Sequence, residues 1–227
     1  MNALLDYLDE SFIQRNEDCD IIIEPAIEST IENKDLVRRP DAVIVKDKLF
    51  FLIELKAFQG DIIADCSQGG IWKSSDGKGL PTGRQNPFDQ VSGHRTALIN
   101  FLQTKFVEPG NAPDWAKRSD HAKIDWIART VHSWVVTEEA SRPVVTGIDV
   151  RRNGWFKVVA VDRVPSELAF LRAQQPLFAP VGFARFLESV GAKATSKNEW
   201  YRGPITRETV SLPRLVPKIT DMFDSGT

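Results

Sequence analysis

Only two residues are cysteine, Cys19 and Cys66, so no disulfide framework organises this chain, and three histidines at no ligand spacing build no structural zinc site with them. No apolar run approaches the roughly 20 residues a membrane span needs. The opening M-N-A-L-L-D-Y-L-D-E carries acids where a signal peptide needs basic residues. These absences set the expectation of a cytoplasmic protein with no membrane partner. Positive charge is not in excess either: 29 Lys and Arg stand against 31 Asp and Glu, a net charge of −2. That balance counts against a nucleic-acid coat protein, yet an enzyme needs only a local positive surface. No internal repeat or low-complexity tract occurs.

What is present is ordinary globular material. The 227 residues, 42% hydrophobic and 26% charged, suffice for one large domain or one domain with an appendage. The most informative stretch is Arg39 to Ala57, R-P-D-A-V-I-V-K-D-K-L-F-F-L-I-E-L-K-A. Its Val, Ile, Leu and Phe content predicts two strands, Asp41 to Val45 and Leu49 to Lys56, with a two-residue turn at Asp47-Lys48. The second strand is apolar on both alternating faces: Phe50 and Leu52 on one, Leu49, Phe51, Ile53 and Leu55 on the other. A central strand covered on both sides has that pattern. Yet it ends in Glu54 and Lys56, two charges on one face.

A two-residue turn fixes the register. Lys46 then faces Leu49, Val43 faces Leu52, and Asp41 faces Glu54. Opposed side chains have Cβ atoms roughly 4.5–5.5 Å apart. Two carboxylates that close repel unless a cation lies between them, and a hard divalent ion such as Mg²⁺ takes carboxylate oxygens. Lys56, about 6.6–6.8 Å along the strand from Glu54, would stand beside such an ion. An isolated E-x-K is usually a solvated strand end, and an isolated Asp41 a strand-entry residue. The otherwise apolar strand, with Pro40-Asp41 at the matching distance upstream, favours a site.

Pro40-Asp41 followed by Glu54-Leu55-Lys56 resembles the PD-(D/E)xK nuclease superfamily. The ordered set Asp41, Ala42 to Val45, Glu54, Lys56, Trp72 and Asn86-Pro87-Phe88-Asp89-Gln90 resembles, more narrowly, the nuclease-related domain, NERD, over roughly residues 1–140. The resemblance implies a restriction-endonuclease-like core (αβββαβ) and a metal-dependent nuclease acting on nucleic acid, DNA ahead of RNA. It implies that Asp41 and Glu54 hold one or two Mg²⁺ (or Mn²⁺) ions, with the Leu55 carbonyl adding a ligand. Lys56 would orient the attacking water or stabilise charge in the transition state, and Gln90 would help place the phosphate. A second reading is a catalytically weak nucleic-acid-binding or regulatory module fused to a kinase or helicase. One departure stands out: the family's early helix carries a Gly-Glu pair that is missing here. Asp6 and Glu10 are candidates to replace it, and the apolar phase picks out neither.

The remaining segments supply expectations of their own. Residues 2–14 predict a helix with Leu4, Leu5, Leu8 and Phe12 on its buried face. Cys19 to Ile27 predicts a strand ended near Pro25, with Glu24 within reach of the site, and the polar Glu28 to Arg38 predicts a loop. Glycine-rich Ala57 to Arg84 predicts a long loop whose Lys73, Lys78 and Arg84 lie where a phosphate backbone could pass. Trp72 within it reads as buried in a small side cluster ahead of a base-stacking platform. A helix follows from Asn86 as N-cap and Pro87 in its first turn to about Phe106. Val91, His94, Leu98, Phe101 and Leu102 point inward, with His94 a packed residue and Gln90 one turn before it.

Further on, Glu108 to Asp120 predicts a loop and Val131 to Val136 the core of a strand. Val144 to Val150 and Trp155 to Val161 predict a hairpin over R-R-N-G. A short helix capped by Ser166 and another at Gly182 to Val190 follow. The chain then reads as irregular from about Asn198. The order helix, three strands, helix, strand argues for an α/β domain with a central mixed sheet flanked by helices, plus C-terminal strand and helix additions. The expected division is a nuclease-like domain over 1–197, with its core at about 1–140, and a tail or linker over 198–227.

Overall fold

The structure, a computed structural model, describes residues 1–13, 19–31, 34–81, 86–105, 113–149, 151–171, 180–194 and 200–202. Helix α1 (Asn2–Leu8) runs into a π-helical turn at Asp9–Ile13, followed by strand β1 (Cys19–Ile23). A β-ribbon, β2 (Ile27–Ile31) and β3 (Lys34–Arg38), precedes β4 (Ala42–Lys46) and β5 (Leu49–Leu55). Then come β6 (Asp61–Asp65), β7 (Lys73–Ser74), α2 (Pro87–Lys105), α3 (Asp120–Thr130) and β8 (Val131–Thr137). The chain continues through β9 (Arg142–Thr146), β10 (Phe156–Ala160), α4 (Val164–Ala169), α5 (Pro180–Ser189), β11 (Lys193–Ala194) and β12 (Trp200–Arg202).

The central sheet has the order β10-β8-β5-β4-β1-β12-β11. It is mixed: β5 pairs antiparallel with β4 and parallel with β8. Along the chain its core is α1-β1-β4-β5-α2-β8, the αβββαβ order, with the ribbon, β6, β7 and α3 inserted. The β4–β5 turn uses Asp47 and Lys48, both left-handed at φ 48° and 71°, the twist that suits a two-residue hairpin. Lys46 consequently faces Leu49 and Val43 faces Leu52, the expected register.

Strand β5 is buried from Leu49 to Glu54 because helices cover both faces. Phe50 and Leu52 meet Ala97, Leu98, Phe101 and Leu102 of α2, with Trp126 and Ile127 of α3. Phe51 and Ile53 meet Leu4, Leu5 and Leu8 of α1, with Val164 and Leu168 of α4. Each large apolar side chain so buried contributes ~1.5–3 kcal/mol. Removal of Phe51, Phe50 or Trp134 would therefore threaten the sheet before it touched any chemistry. The side chains of Glu54 and Lys56 share the parity of Phe50 and Leu52, so they face α2.

Four readings of the sequence are corrected. Glu28 to Arg38 is a ribbon rather than a loop, because Ile27 and Ser29 are buried and the ribbon lies along α2. Ala57 to Arg84 is not one long loop: β6 buries Ile62 and Ala64 alternately and joins β7 and β9 in a second sheet. That sheet covers a third core containing Phe58, Trp72, Val91, Val135 and Phe156. The proposed hairpin over R-R-N-G does not form, since β9 pairs with β6 and β10 with β8, both in parallel. Trp200–Arg202, read as irregular, pairs in parallel with β1, while residues beyond 202 lie outside the described residues.

Smaller differences concern helices. Ser119, at the end of the expected loop, caps α3, its Oγ accepting from the Ala122 N–H at 3.1 Å, and α3 itself was not expected. Helix α4 starts at Val164 with Pro165 in its first turn, ahead of Ser166. No helix among the described residues is long and apolar enough to cross a membrane.

His132 gives the first testable consequence. Its ring stacks on Phe51 with centroids 5.1 Å apart, and burial, then Arg95 and Lys157, push its pKa down from 6.5 to about 4. A neutral buried imidazole stabilises fully above the unfolded value of 6.5 and loses that stability as pH falls through about 4. The window is worth at most about 3 kcal/mol. His132→Phe keeps a ring on Phe51 and takes no proton. Its melting temperature should therefore drop less between pH 7 and pH 4.5 than the wild type's, and an equal drop would show that His132 titrates normally. Asp41 and Glu54 titrate in both proteins and cancel in the comparison.

Candidate active site

The site lies where β4 begins and β5 ends, beneath the N-terminal turns of α2. The pairing of β4 with β5 ends at Ala42 and Ile53, so the next step outward sets Asp41 across from Glu54. Asp41 curls over the strand end: its Oδ2 accepts the Leu55 N–H at 2.6 Å. The N–H and C=O of one strand residue point to the same side. The Leu55 carbonyl is therefore turned toward Asp41 as well.

Glu54, Lys56 and Gln90 form a closed ring of hydrogen bonds. Lys56 Nζ donates to Glu54 Oε1 at 2.8 Å and to Gln90 Oε1 at 3.1 Å. Gln90 Nε2 donates to the same Glu54 oxygen. Gln90 reaches the strand end because Asn86 fixes the start of α2. Asn86 Oδ1 accepts the Phe88 N–H at 2.9 Å, and its Nδ2 donates to the carbonyls of Asp65 and Gly70 at 2.9 and 2.8 Å. The expected N-cap thus also ties the helix to the second sheet. One turn after Gln90, His94 Nδ1 stands 3.7 Å from Glu54 Oε2, beyond hydrogen-bond reach.

Electrostatics mark the place as strained. Burial raises the Asp41 carboxyl, against the Leu55 N–H, the Lys56 ammonium and the N-terminal amine, which lower it. Burial raises Glu54 too, and the Asp41 charge pushes it further, against Lys56 and Gln90. Burial, with Arg38 and Lys56 nearby, depresses His94 to about 4, so it is neutral at physiological pH although Glu54 would favour its charged form.

The donors suit a hard cation. Among the described residues, Asp41 Oδ1 accepts no hydrogen bond and Glu54 Oε2 has only the His94 contact. No group of three or more His, Cys, Asp or Glu is arranged to hold a metal among the described residues. Two carboxylates and a carbonyl nonetheless match Mg²⁺, which keeps several waters and binds through one or two carboxylates.

Asp6 and Glu10, the candidates for the missing helix acid, are exposed at the N-terminal helical segment, and α1 packs on the opposite face of the sheet. Glu24 has a left-handed backbone at φ 49°, and its N–H donates to the Asp41 carbonyl at 3.0 Å. Trp72 is fully buried against Phe58 and offers no stacking surface. Lys73 and Lys78 are exposed, Lys78 paired with Asp76 at 2.9 Å, and Arg84 lies outside the described residues. Sequence reasoning missed Arg38, which lies close enough to His94 to lower its pKa. The alternation Leu36, Arg38 against Val37, Arg39 was the available signal, hidden by reading that segment as a loop.

A mixed α/β sheet with buried carboxylates and a lysine at the end of its central strands defines a nuclease-like domain of restriction-endonuclease type. A model of the nuclease-related domain matches residues 6–138, from α1 through β8 and across all four site positions. The chain belongs to the nuclease-related domain family, NERD, and through it to the PD-(D/E)xK superfamily. No curated protein and no solved structure matches the chain.

Proposed function

We propose that this domain hydrolyses phosphodiester bonds in nucleic acid, DNA in preference to RNA, with a divalent cation held by Asp41, Glu54 and the Leu55 carbonyl. The observation that carries this reading is the placing of Asp41 across from Glu54 at the open end of the β4–β5 pair, with Glu54 hydrogen-bonded to Lys56 and Gln90 in one half-buried network. When bound, Mg²⁺ or Mn²⁺ supplies an activated water and neutralises charge on the leaving oxygen. Asp41, fixed by the Leu55 N–H through one oxygen, keeps its second oxygen free of hydrogen bonds among the described residues and so able to serve as a ligand. Lys56 Nζ, oriented by Glu54 and Gln90, presents its remaining proton to a phosphate oxygen or to the attacking water. Gln90 holds Lys56 in place from a rigid helix. The test is incubation of the purified protein with plasmid DNA and with RNA in Mg²⁺, Mn²⁺ or EDTA. Cleavage in either metal and none in EDTA supports the reading; no cleavage in any condition removes it.

A second reading keeps the fold as a catalytically weak binding module joined to a kinase or helicase. The absence of a third acid at the site among the described residues favours it.

Gln90→Ala should separate function from scaffold. It removes one half-buried side chain at the edge of α2, so the melting temperature should hold nearly constant, while cleavage should fall roughly tenfold as Lys56 loses its restraint. A large drop in melting temperature with activity per folded molecule unchanged would make Gln90 structural.

A further inference from the structure

Arg38 ends β3 three residues before Asp41 and sits opposite Ile27 in the ribbon, whose Ile27 and Ser29 are buried beside α2. Its guanidinium lies over Gly93, where an added methyl would be 3.7 Å from both Cζ and Nη2. Gly93 is one turn along from Asp89 and Gln90 and directly precedes His94, so the charge is seated on the helix that frames the site. Arg38 Nε is fully shielded from solvent and has no hydrogen-bond partner, and the guanidinium makes no ion pair among the described residues. Ser29 and Ser92, on the same two elements, also carry buried hydroxyls without a partner among the described residues.

That combination is costly. A guanidinium carries five donors in a planar fork, and leaving a buried donor unmade costs ~1–3 kcal/mol. Structural arginines in this same protein are satisfied: Arg95 donates to the carbonyls of Val131 and Ala128 at 2.9 and 2.6 Å and lies over Trp155. Arg38 is held close to His94, and its shielded Nε has no hydrogen-bond partner among the described residues. The fork geometry matches a phosphate oxyanion.

We propose that Arg38 grips a backbone phosphate of a nucleic-acid strand lying across the end of β3, where the ribbon meets the N-terminal half of α2. The proposal rests on the nuclease reading above and gives it a second cation beside His94, in addition to Lys56.

Binding measured apart from cleavage decides it. Fluorescence anisotropy with a labelled duplex DNA and a labelled RNA, in EDTA, should be followed from low to high salt for wild type, Arg38→Gln and Arg38→Lys. Arg38→Gln should bind the preferred strand roughly tenfold more weakly at low salt. Its log–log salt slope should fall by about 1, the signature of one lost phosphate contact. Arg38→Lys should recover the slope, because it restores the charge, and only part of the affinity, because it lacks the fork. A wild-type slope in Arg38→Gln overturns the inference, even if wild type cleaves. If Arg38→Gln also melts early, Arg38→Lys decides: a recovered slope supports a phosphate contact, and a slope still reduced in a well-folded Arg38→Lys overturns it. A reduced slope in Arg38→Gln with no cleavage by any variant retains Arg38 as a backbone contact and removes only the nuclease reading.

Discussion

Asp41→Asn is expected to abolish cleavage and, in metal-free buffer at neutral pH, to raise the melting temperature. Loss of activity follows from the loss of one of two anionic ligands, and falls in the range of a thousandfold or more. The gain in stability follows from the sign of the Asp41 shift. Its folded carboxyl is raised above the ordinary 3.8 by burial, so the stability it allows is complete below that value and is lost as pH rises through the folded pKa. At neutral pH the wild type carries this ionisation cost and the close Glu54 charge as well. Asparagine removes both and still accepts the Leu55 N–H through its amide oxygen. Melting curves across pH should therefore show the variant ahead at pH 7 and the two proteins converging toward pH 4. Lower stability of Asp41→Asn at every pH would mean that the carboxylate serves the scaffold.

Lys56→Met should cut cleavage by about a hundredfold to a thousandfold, the usual loss when one stabilising donor is removed from a transition state. Its effect on stability has the opposite sign to that of Asp41→Asn. Lys56 is the cation that lowers Glu54 against burial, through both a hydrogen bond and charge. Without it Glu54 is pushed further above 4.5, and a raised carboxyl loses stability as pH increases. Lys56→Met should thus melt below wild type at pH 7 and match it once Glu54 is protonated in both states. Parallel melting curves across that range would contradict the assignment of Lys56 as the Glu54 counter-ion. Combining Lys56→Met with Glu54→Gln should restore the melting temperature and leave cleavage absent.

The sheet centre was legible because β5 declares itself: an apolar run on both faces needs two covering layers, and only its end carries charge. The two-residue turn then determined the register, which no tertiary contact had to adjust. Asn86-Pro87 was equally readable, since a cap and a first-turn proline act locally. The ribbon at Ile27–Arg38 was not readable as structure, because its strands earn their place by lying along α2, a contact far away in sequence. Arg38 was lost with it. The parallel pairing of β6 with β9 was hidden for the same reason, and the Asn-Gly at 153–154 offered a local hairpin signal that long-range pairing overrode. Within the site, residue types and their shared face were visible in the sequence. The ring closing Gln90 onto Glu54 and Lys56 needed the crossing of α2 over β5.

Calorimetric titration of the metal-free protein with Mn²⁺, run in parallel on Asp41→Asn, addresses the Asp41–Glu54 pair without reliance on any substrate. Saturable binding to wild type is predicted, with a stabilisation of about 2.7 kcal/mol at a hundredfold excess over Kd, and no saturable binding to Asp41→Asn. Equal binding to both proteins, or none to wild type at millimolar Mn²⁺, would contradict a cation site at these two carboxylates.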